Sequence, residues 1–471
     1  MMISRNLVLS TIAAVIALSA YGCGSTTTPN DLGNPDVVQN DVVSDTVVPV
    51  DEITPPDTVA DTNNEVVTDV VEDTTPPCMP SKCIDDGNGN LIENPTPGCV
   101  GEFCAASPTA DPDPMAFGPY PVGIRQVVVI DDNPENINED STPRTLKVDM
   151  WFPTTEANRD GTKFVYDIKA DCNQAVKDKF GEVDIGQFPV NAILNAPIRH
   201  GEGRYPVVIF SHGAYGIRFQ SIFFTIALAS HGYIVIAPDH QFNTLNEILV
   251  DGWNGADLIP AAMHRPRDIF ALLDWIQAKG EDEQDEFYDL VDMENVACTG
   301  HSFGGLTSYV VTADPRIDVI IPMAPAADMA NALSNAFNNK FIDELVIPTL
   351  VMAGEMDKTL QYQSQQRDWF DIQPPPKWML SMPRAGHYTF SDVCAMNLED
   401  LVDYWGDADD ALRDGCADFN FPTVDAHRAI NLYAISFLNH FLRKSPTAVD
   451  RLVQEAGAEF GDDVEFLAFP E

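Results

Sequence analysis

From residue 107 onward the apolar positions follow two alternating periods. Short apolar runs of strand length occupy residues 125–130, 146–152, 206–210, 233–237, 296–299, 319–323, 349–353 and 378–382. Several are unbroken and rich in Val and Ile, as strands buried on both faces must be. Between them, apolar residues recur at helical spacing over 219–230, 266–278, 305–312, 363–370 and 426–442. This alternation predicts an α/β domain over 107–471, with a mostly parallel eight-stranded sheet flanked by helices. Functional loops then lie at the carboxyl ends of the strands.

The first 106 residues follow neither period. Arg5 precedes an apolar run over 7–20, which has the length of a signal core and is too short to span a bilayer. The run ends in Ser19-Ala20-Tyr21-Gly22-Cys23. A small residue before a cysteine at that place predicts a lipoprotein-type signal peptide over 1–23, with Cys23 acylated. An ordinary secretory signal cut nearby is the alternative. Gly24, rather than Asp, points to the outer membrane if the cell is Gram-negative. Residues 24–77 repeat Val-Val, Asp, Thr and Pro with no Lys or Arg. Like charges repel there and no core can form, so an extended acidic linker is expected.

Cys78, Cys83, Cys99 and Cys104 crowd the next stretch, 78–106. In an exported chain they predict a small loop-rich segment with two disulfides, in any of three pairings. A zinc site is the alternative, although only Cys78 and Cys83 are spaced for one. The acidic run from Asp85 to Asn90 has Leu91 where a calcium loop needs Gly, so it is expected to be a polar turn.

Composition narrows the function. The chain has 471 residues, 45% of them hydrophobic, and a formal net charge of −45. A sizeable core is available. Nucleic acid is excluded as a partner, because phosphate binding needs basic patches. Docking on anionic lipid through a basic face is excluded likewise, leaving the N-terminal lipid as the one membrane contact.

The chemistry centres on Gly300-His301-Ser302-Phe303-Gly304. A G-x-S-x-G string arises by chance in roughly one chain in ten of this length, so context must carry it. A buried-strand pattern ends just before it and a helical one begins just after, which is the strand–turn–helix the motif requires. Ser302 is the expected nucleophile, exposed on a sharp turn above the sheet, with a helix N-terminus favouring developing negative charge. Its base must come later in the chain, after an acid. His387 follows the eighth strand in a loop, whereas His427 and His440 fall inside the last helix. Asp357 follows the strand at 349–353 and is the expected acid, orienting the imidazole. Asp328 and Glu355 compete with it. For the oxyanion hole, the amide of Phe303 supplies one donor, and the loop Ser211-His212-Gly213-Ala214 supplies another, most simply the amide of Ala214. No His and carboxylate cluster has metal-ligand spacing.

These segments resemble a known family. Phe210-Ser211-His212-Gly213, Ala229-Ser230-His231-Gly232-Tyr233-Ile234-Val235, Gly118-Pro119-Tyr120-Pro121-Val122-Gly123 and Gly300-His301-Ser302-Phe303-Gly304-Gly305 are similar to the plasma platelet-activating-factor acetylhydrolases. Ala237-Pro238-Asp239-His240 and Arg265-Pro266-Arg267-Asp268 are similar to bacterial dienelactone-hydrolase-like esterases. The resemblance spans residues 118–443. It implies an α/β-hydrolase fold and cleavage of a carboxylic ester, as small molecule, lipid or polymer, without metal or cofactor. In the acetylhydrolases the acid follows the sixth strand, where this chain has Ala324. That favours Asp357, as in bacterial esterases and polyester hydrolases. True dienelactone hydrolases use a cysteine nucleophile, so that label implies no substrate here.

Residues 393–424 interrupt the pattern before the last helix. Cys394 and Cys416 predict a lid-like insertion closed by a disulfide, worth on the order of 3 kcal/mol. A plain surface excursion is the alternative. Cys172 and Cys298 remain, the latter as a core thiol. Two other functions share this constellation: acyl transfer to an acceptor other than water, and non-catalytic binding on a hydrolase scaffold. The sequence leaves the oligomeric state open.

Overall fold

The computed structural model describes residues 78–85, 91–94, 111–138, 140–181, 186–396 and 413–471. The signal, Cys23, the acidic linker, the polar turn at 86–90, Cys99, Cys104 and residues 397–412 of the insertion lie outside them.

Ten strands form one sheet: β1 (Val122–Asp131), β2 (Arg144–Pro153), β3 (Ile193–Leu194), β4 (Tyr205–Ser211), β5 (Ile234–Pro238), β6 (Val291–His301), β7 (Val319–Met323), β8 (Thr349–Gly354), β9 (Lys377–Met382) and β10 (Glu465–Phe469). Their order is β10-β9-β8-β7-β6-β4-β5-β2-β1-β3. The six strands from β9 to β5 run parallel. Antiparallel pairs at β9·β10, β1·β2 and β2·β5 make the sheet mixed.

The eight expected strands are all present, and the additions sit at the two edges. β3 is two residues long. β10 pairs Leu380 with Phe466 across the far edge. Its sequence mixes exposed Glu465 and Phe469 with buried Phe466, so it carries little hydrophobic signal. The parallel strands do carry it, since every residue of β4, β5, β7, β8 and β9 is buried.

The pleat divides those side chains between two cores. Val208, Phe210, Val235 and Ala237 join one cluster, with α1 (Ile222–Ser230) and α4 (Thr423–Phe441) against it. Val207, Ile209, Ile234 and Ile236 join the other, under α2 (Leu258–Glu281) and α3 (Phe303–Val310). Each large apolar side chain so buried contributes about 1.5–3 kcal/mol.

α2 begins eight residues before the expected start at Pro266, which lies inside the helix. An interior proline removes one helical hydrogen bond. Here Ala261 and Ala262 on the turn before it are buried in the second core, and that packing carries the helix through.

Cys78 and Cys83 form a disulfide, as do Cys394 and Cys416. Cys172 and Cys298 are free and buried, with thiols that burial pushes up to about 12. The first disulfide closes a short segment fastened near the amino end of β6. There the Ser81 hydroxyl donates to Asp289 at 2.5 Å.

Candidate active site

Ser302 stands between β6 and α3 with φ 57° and ψ −115°, outside the ordinary regions for a side-chain-bearing residue. Such strain costs about 1–3 kcal/mol and persists only when the surroundings hold it. Here the Ser302 amide donates to the Met323 carbonyl at 2.8 Å, and its own carbonyl accepts from Leu306 at 3.1 Å. The flanking glycines are steric necessities. A Cβ on Gly304 would lie 1.8 Å from the Ser211 carbonyl oxygen, and one on Gly300 would lie 2.4 Å from the same atom.

The expected base and acid meet this serine. His387 Nε2 lies 2.9 Å from Ser302 Oγ, and His387 Nδ1 lies 2.8 Å from Asp357 Oδ2. His387 and Asp357 are both buried. The carboxylate is held in turn by the Leu360 amide at 2.7 Å and by Gln366 Nε2 at 3.1 Å. The competing acids are spent elsewhere. Asp328 accepts from Gln365 at 2.9 Å, and Glu355 accepts from Ser381 at 2.8 Å. His427 stacks on Phe223 with ring centroids 3.4 Å apart, and His440 packs on Phe441.

The loop after β4 comes alongside. A Cβ on Gly213 would lie 3.5 Å from Ser302 Cβ. No described group accepts a hydrogen bond from the amide of Ala214 or of Phe303. Two unspent amides therefore lie in the segments next to Ser302, one in the loop after β4 and one in the residue that follows Ser302.

Several supporting residues escaped the sequence reading. Gln220 Oε1 accepts from the Gly213 amide at 2.9 Å, so its Nε2 must donate to His301 Nδ1, 3.0 Å away. That leaves the His301 proton on Nε2, which donates to the His387 carbonyl at 2.8 Å. Burial pushes the His301 imidazole well below its usual value and keeps it neutral. One chain of hydrogen bonds thus ties the loop after β4 to the residue beside the nucleophile and to the backbone of His387. The motif marked His301, but nothing in the local pattern marked Gln220.

The described end of the insertion acts from behind. Asp414 accepts from the amides of Lys358 and Thr359 at 2.9 and 3.0 Å, and its carbonyl accepts from the Tyr388 amide at 2.8 Å. It joins the loop of Asp357 to the loop of His387. Asp414 lies two residues from Cys416, one half of the second disulfide.

Comparison with known proteins agrees with this architecture. The family described as platelet-activating factor acetylhydrolase, isoform II, matches residues 111–246, and the PET hydrolase-like family matches 197–400. Platelet-activating factor acetylhydrolase of Bos taurus is 28% identical over 155 residues, covering 26% of this chain and 35% of that protein. Cutinase est2 of Thermobifida alba is 25% identical over 187 residues, covering 39% of this chain and 53% of that protein. The chain thus spans about a third of the acetylhydrolase's length and about half of the cutinase's. A ferulic acid esterase from Streptomyces cinnamoneus superposes with a TM-score of 0.54 at 18% identity, covering 77% of this chain and 99% of that one. That likeness shows the α/β-hydrolase fold.

Proposed function

Taking as premise that the chain is an α/β-hydrolase related to ester-cleaving enzymes, we propose that it is a serine carboxylic-ester hydrolase working through Ser302, His387 and Asp357. The observation that carries this reading is the unbroken hydrogen-bonded series Ser302 Oγ, His387 Nε2 and Nδ1, Asp357 Oδ2, at 2.9 and 2.8 Å.

The steps follow from these positions. Ser302 Oγ attacks the ester carbonyl carbon as His387 Nε2 takes its proton. Asp357 stabilises the imidazolium that results. The electron pair moved onto the carbonyl oxygen is met by the amides of Ala214 and Phe303, at the start of α3. The alcohol leaves with the proton from His387, and Ser302 keeps the acyl group. Water then attacks that acyl-enzyme with His387 as base, releasing the acid and restoring Ser302.

We place this domain at 107–471, behind a signal over 1–23, an acidic linker over 24–77 and a cysteine-rich segment over 78–106. Two disulfides suit an oxidising, extracytoplasmic compartment. Acylation of Cys23 would tether the chain to a membrane, in a Gram-negative cell the outer one.

Labelling with a fluorophosphonate, followed by peptide mapping, tests the nucleophile. Adduct on Ser302 is the expected result, and a wild-type chain that neither labels nor hydrolyses p-nitrophenyl esters would sink the reading. A panel of such esters of increasing acyl length then gives the substrate class. Mass spectrometry of the mature N-terminus should find a diacylglyceryl group on Cys23, and an unmodified Cys23 would remove the tether.

A further inference from the structure

Beneath the loop after β4 lies a positive charge with no carboxylate among its hydrogen-bond or ion-pair partners; Asp268, bonded to Arg144 and His240, acts on it only through space. Arg265, on α2, is 1% exposed. Its guanidinium donates to the carbonyl of His212, to the carbonyl of Gly213 at 2.8 Å and to Ser211 Oγ at 3.4 Å. Nε and Nη2 both donate to Asn243 Oδ1, at 3.1 and 2.7 Å. Every one of these acceptors is neutral. Arg144 and Arg218, also buried, are by contrast ion-paired, the first to Asp268 and the second to Asp149, Asp171 and Asp239. Burial pushes Arg265 down to about 9, which still leaves it charged at neutral pH. Its guanidinium also sits 4.8 Å over the ring of Phe303.

Asn243 sharpens the point. Two Arg265 donors need an acceptor, which fixes the amide with Oδ1 facing them. Asn243 Nδ2 is then buried with no hydrogen-bond partner among the described residues. An aspartate has the same shape, would keep both bonds, would pair the charge and would remove the orphan donor. An unpaired buried donor costs about 1–3 kcal/mol. A buried cation with no bonded carboxylate adds its own desolvation cost, offset only in part by Asp268 at longer range. The chain carries both costs at a place where one substitution would relieve them.

We propose that Arg265 is a positioning residue of the oxyanion hole, which aims the Ala214 amide and whose charge, left unpaired by Asn243, favours negative charge on the acyl oxygen. This rests on the serine-esterase reading above. In a trans peptide the carbonyl and the following N–H point in opposite directions. The Gly213 carbonyl is drawn to Arg265, to His212 Nδ1 at 2.7 Å and to the Gly216 amide at 3.1 Å. The Ala214 N–H of that same peptide is thereby turned away from Arg265 and left unspent beside Ser302. The charge acts in addition, because a cation in a water-poor interior is felt over several ångströms. Arg265 touches neither substrate nor reacting atoms and works through the loop.

The test is Asn243→Asp in the full chain, which neutralises the charge while keeping the shape. The probes are p-nitrophenyl acetate for turnover and an aryl trifluoromethyl ketone, whose adduct on Ser302 is an anionic tetrahedral species. We expect kcat to fall about 10–100-fold, KM to stay within about twofold and ketone affinity to fall in step with kcat. The melting temperature should hold or rise, the opposite of what a purely structural lesion gives. Arg265→Lys, which keeps charge without the fork, should retain more kcat than Arg265→Met. If Arg265→Met does not fold, Asn243→Asp decides alone. Wild-type kcat and wild-type ketone affinity in Asn243→Asp would overturn the inference while leaving the serine-esterase reading intact. A wild-type chain inert to esters and to fluorophosphonate would overturn both.

Discussion

Asp414 holds Thr359 twice, through its amide at 3.0 Å and through its hydroxyl at 2.9 Å. The two residues stand in different segments, and the contact braces the loop that carries Asp357. Asp414→Ala removes the acceptor of the Lys358 and Thr359 amides and of the Thr359 hydroxyl, each charge-assisted bond contributing about 1.5–3 kcal/mol at most. We expect a lower melting temperature together with a kcat reduced about tenfold, since a displaced acid misorients the base. Calorimetry and ester turnover on the same preparation check this. A destabilised variant with unchanged kcat would show that the contact serves folding alone.

The choice of acid is open to direct comparison. Asp357→Asn keeps the shape but removes the charge that the His387 imidazolium needs. By analogy with other triads kcat should drop by about 10⁴. Asp328→Asn should change it far less, since Asp328 is bonded to Gln365 and not to His387. The reverse ranking would move the acid to the loop after β7.

On the proposed mechanism, nucleophile and base act as one unit. Ser302→Ala and His387→Ala should each lose nearly as much rate as the double variant, roughly 10⁶-fold where such triads have been dissected. Ser302→Ala should leave the melting temperature nearly unchanged, because it loses little packing and no side-chain bond beyond that to His387. Losses that multiply in the double variant would separate the two residues mechanistically.

Acid should weaken the fold before most carboxylates titrate. Burial pushes seven histidines below their usual value: His212 and His301 well below it, His231, His240, His264 and His427 down to about 4, and His440 as well. The unfolded chain takes up protons near pH 6.5 that the folded chain refuses. Their contribution is therefore present above about pH 6.5 and is lost as pH falls toward 4, by at most about 1.4 kcal/mol per group per pH unit. Asp239 and Asp392 oppose this, because burial pushes them up to about 6 and about 7, and burial raises Glu202, Asp318 and Asp328 in the same sense. Between pH 7 and pH 5 the seven histidines outweigh the raised carboxylates, so the melting temperature should drop over that interval. A melting temperature that rises over that interval would contradict the assignment of neutral histidines.

How much of this was legible beforehand depended on whether a signal was local. The strands buried on both faces announced themselves as apolar runs, and the elbow at Ser302 as a fixed spacing of glycines. Asp357 and His387 could be ranked because each follows a readable strand. Gln220, Arg265 and Asn243 lie far apart in sequence and meet only in the folded chain, so no window contains their relationship. Pro266 misled because local chemistry stops a helix there, whereas the tertiary packing of Ala261 and Ala262 keeps it going. β10 was missed because an edge strand needs only one buried face and little apolar length.

The brace at Asp414 carries a consequence for when the site becomes competent. Asp414 is two residues from Cys416, whose disulfide to Cys394 forms only where thiols can be oxidised. The loops of acid and base thus receive their last restraint from a bond unavailable in a reducing cytosol. If the chain is exported and hydrolyses esters as proposed above, the staple would delay its full activity until after translocation, keeping the esters of the cell that makes it out of reach during synthesis.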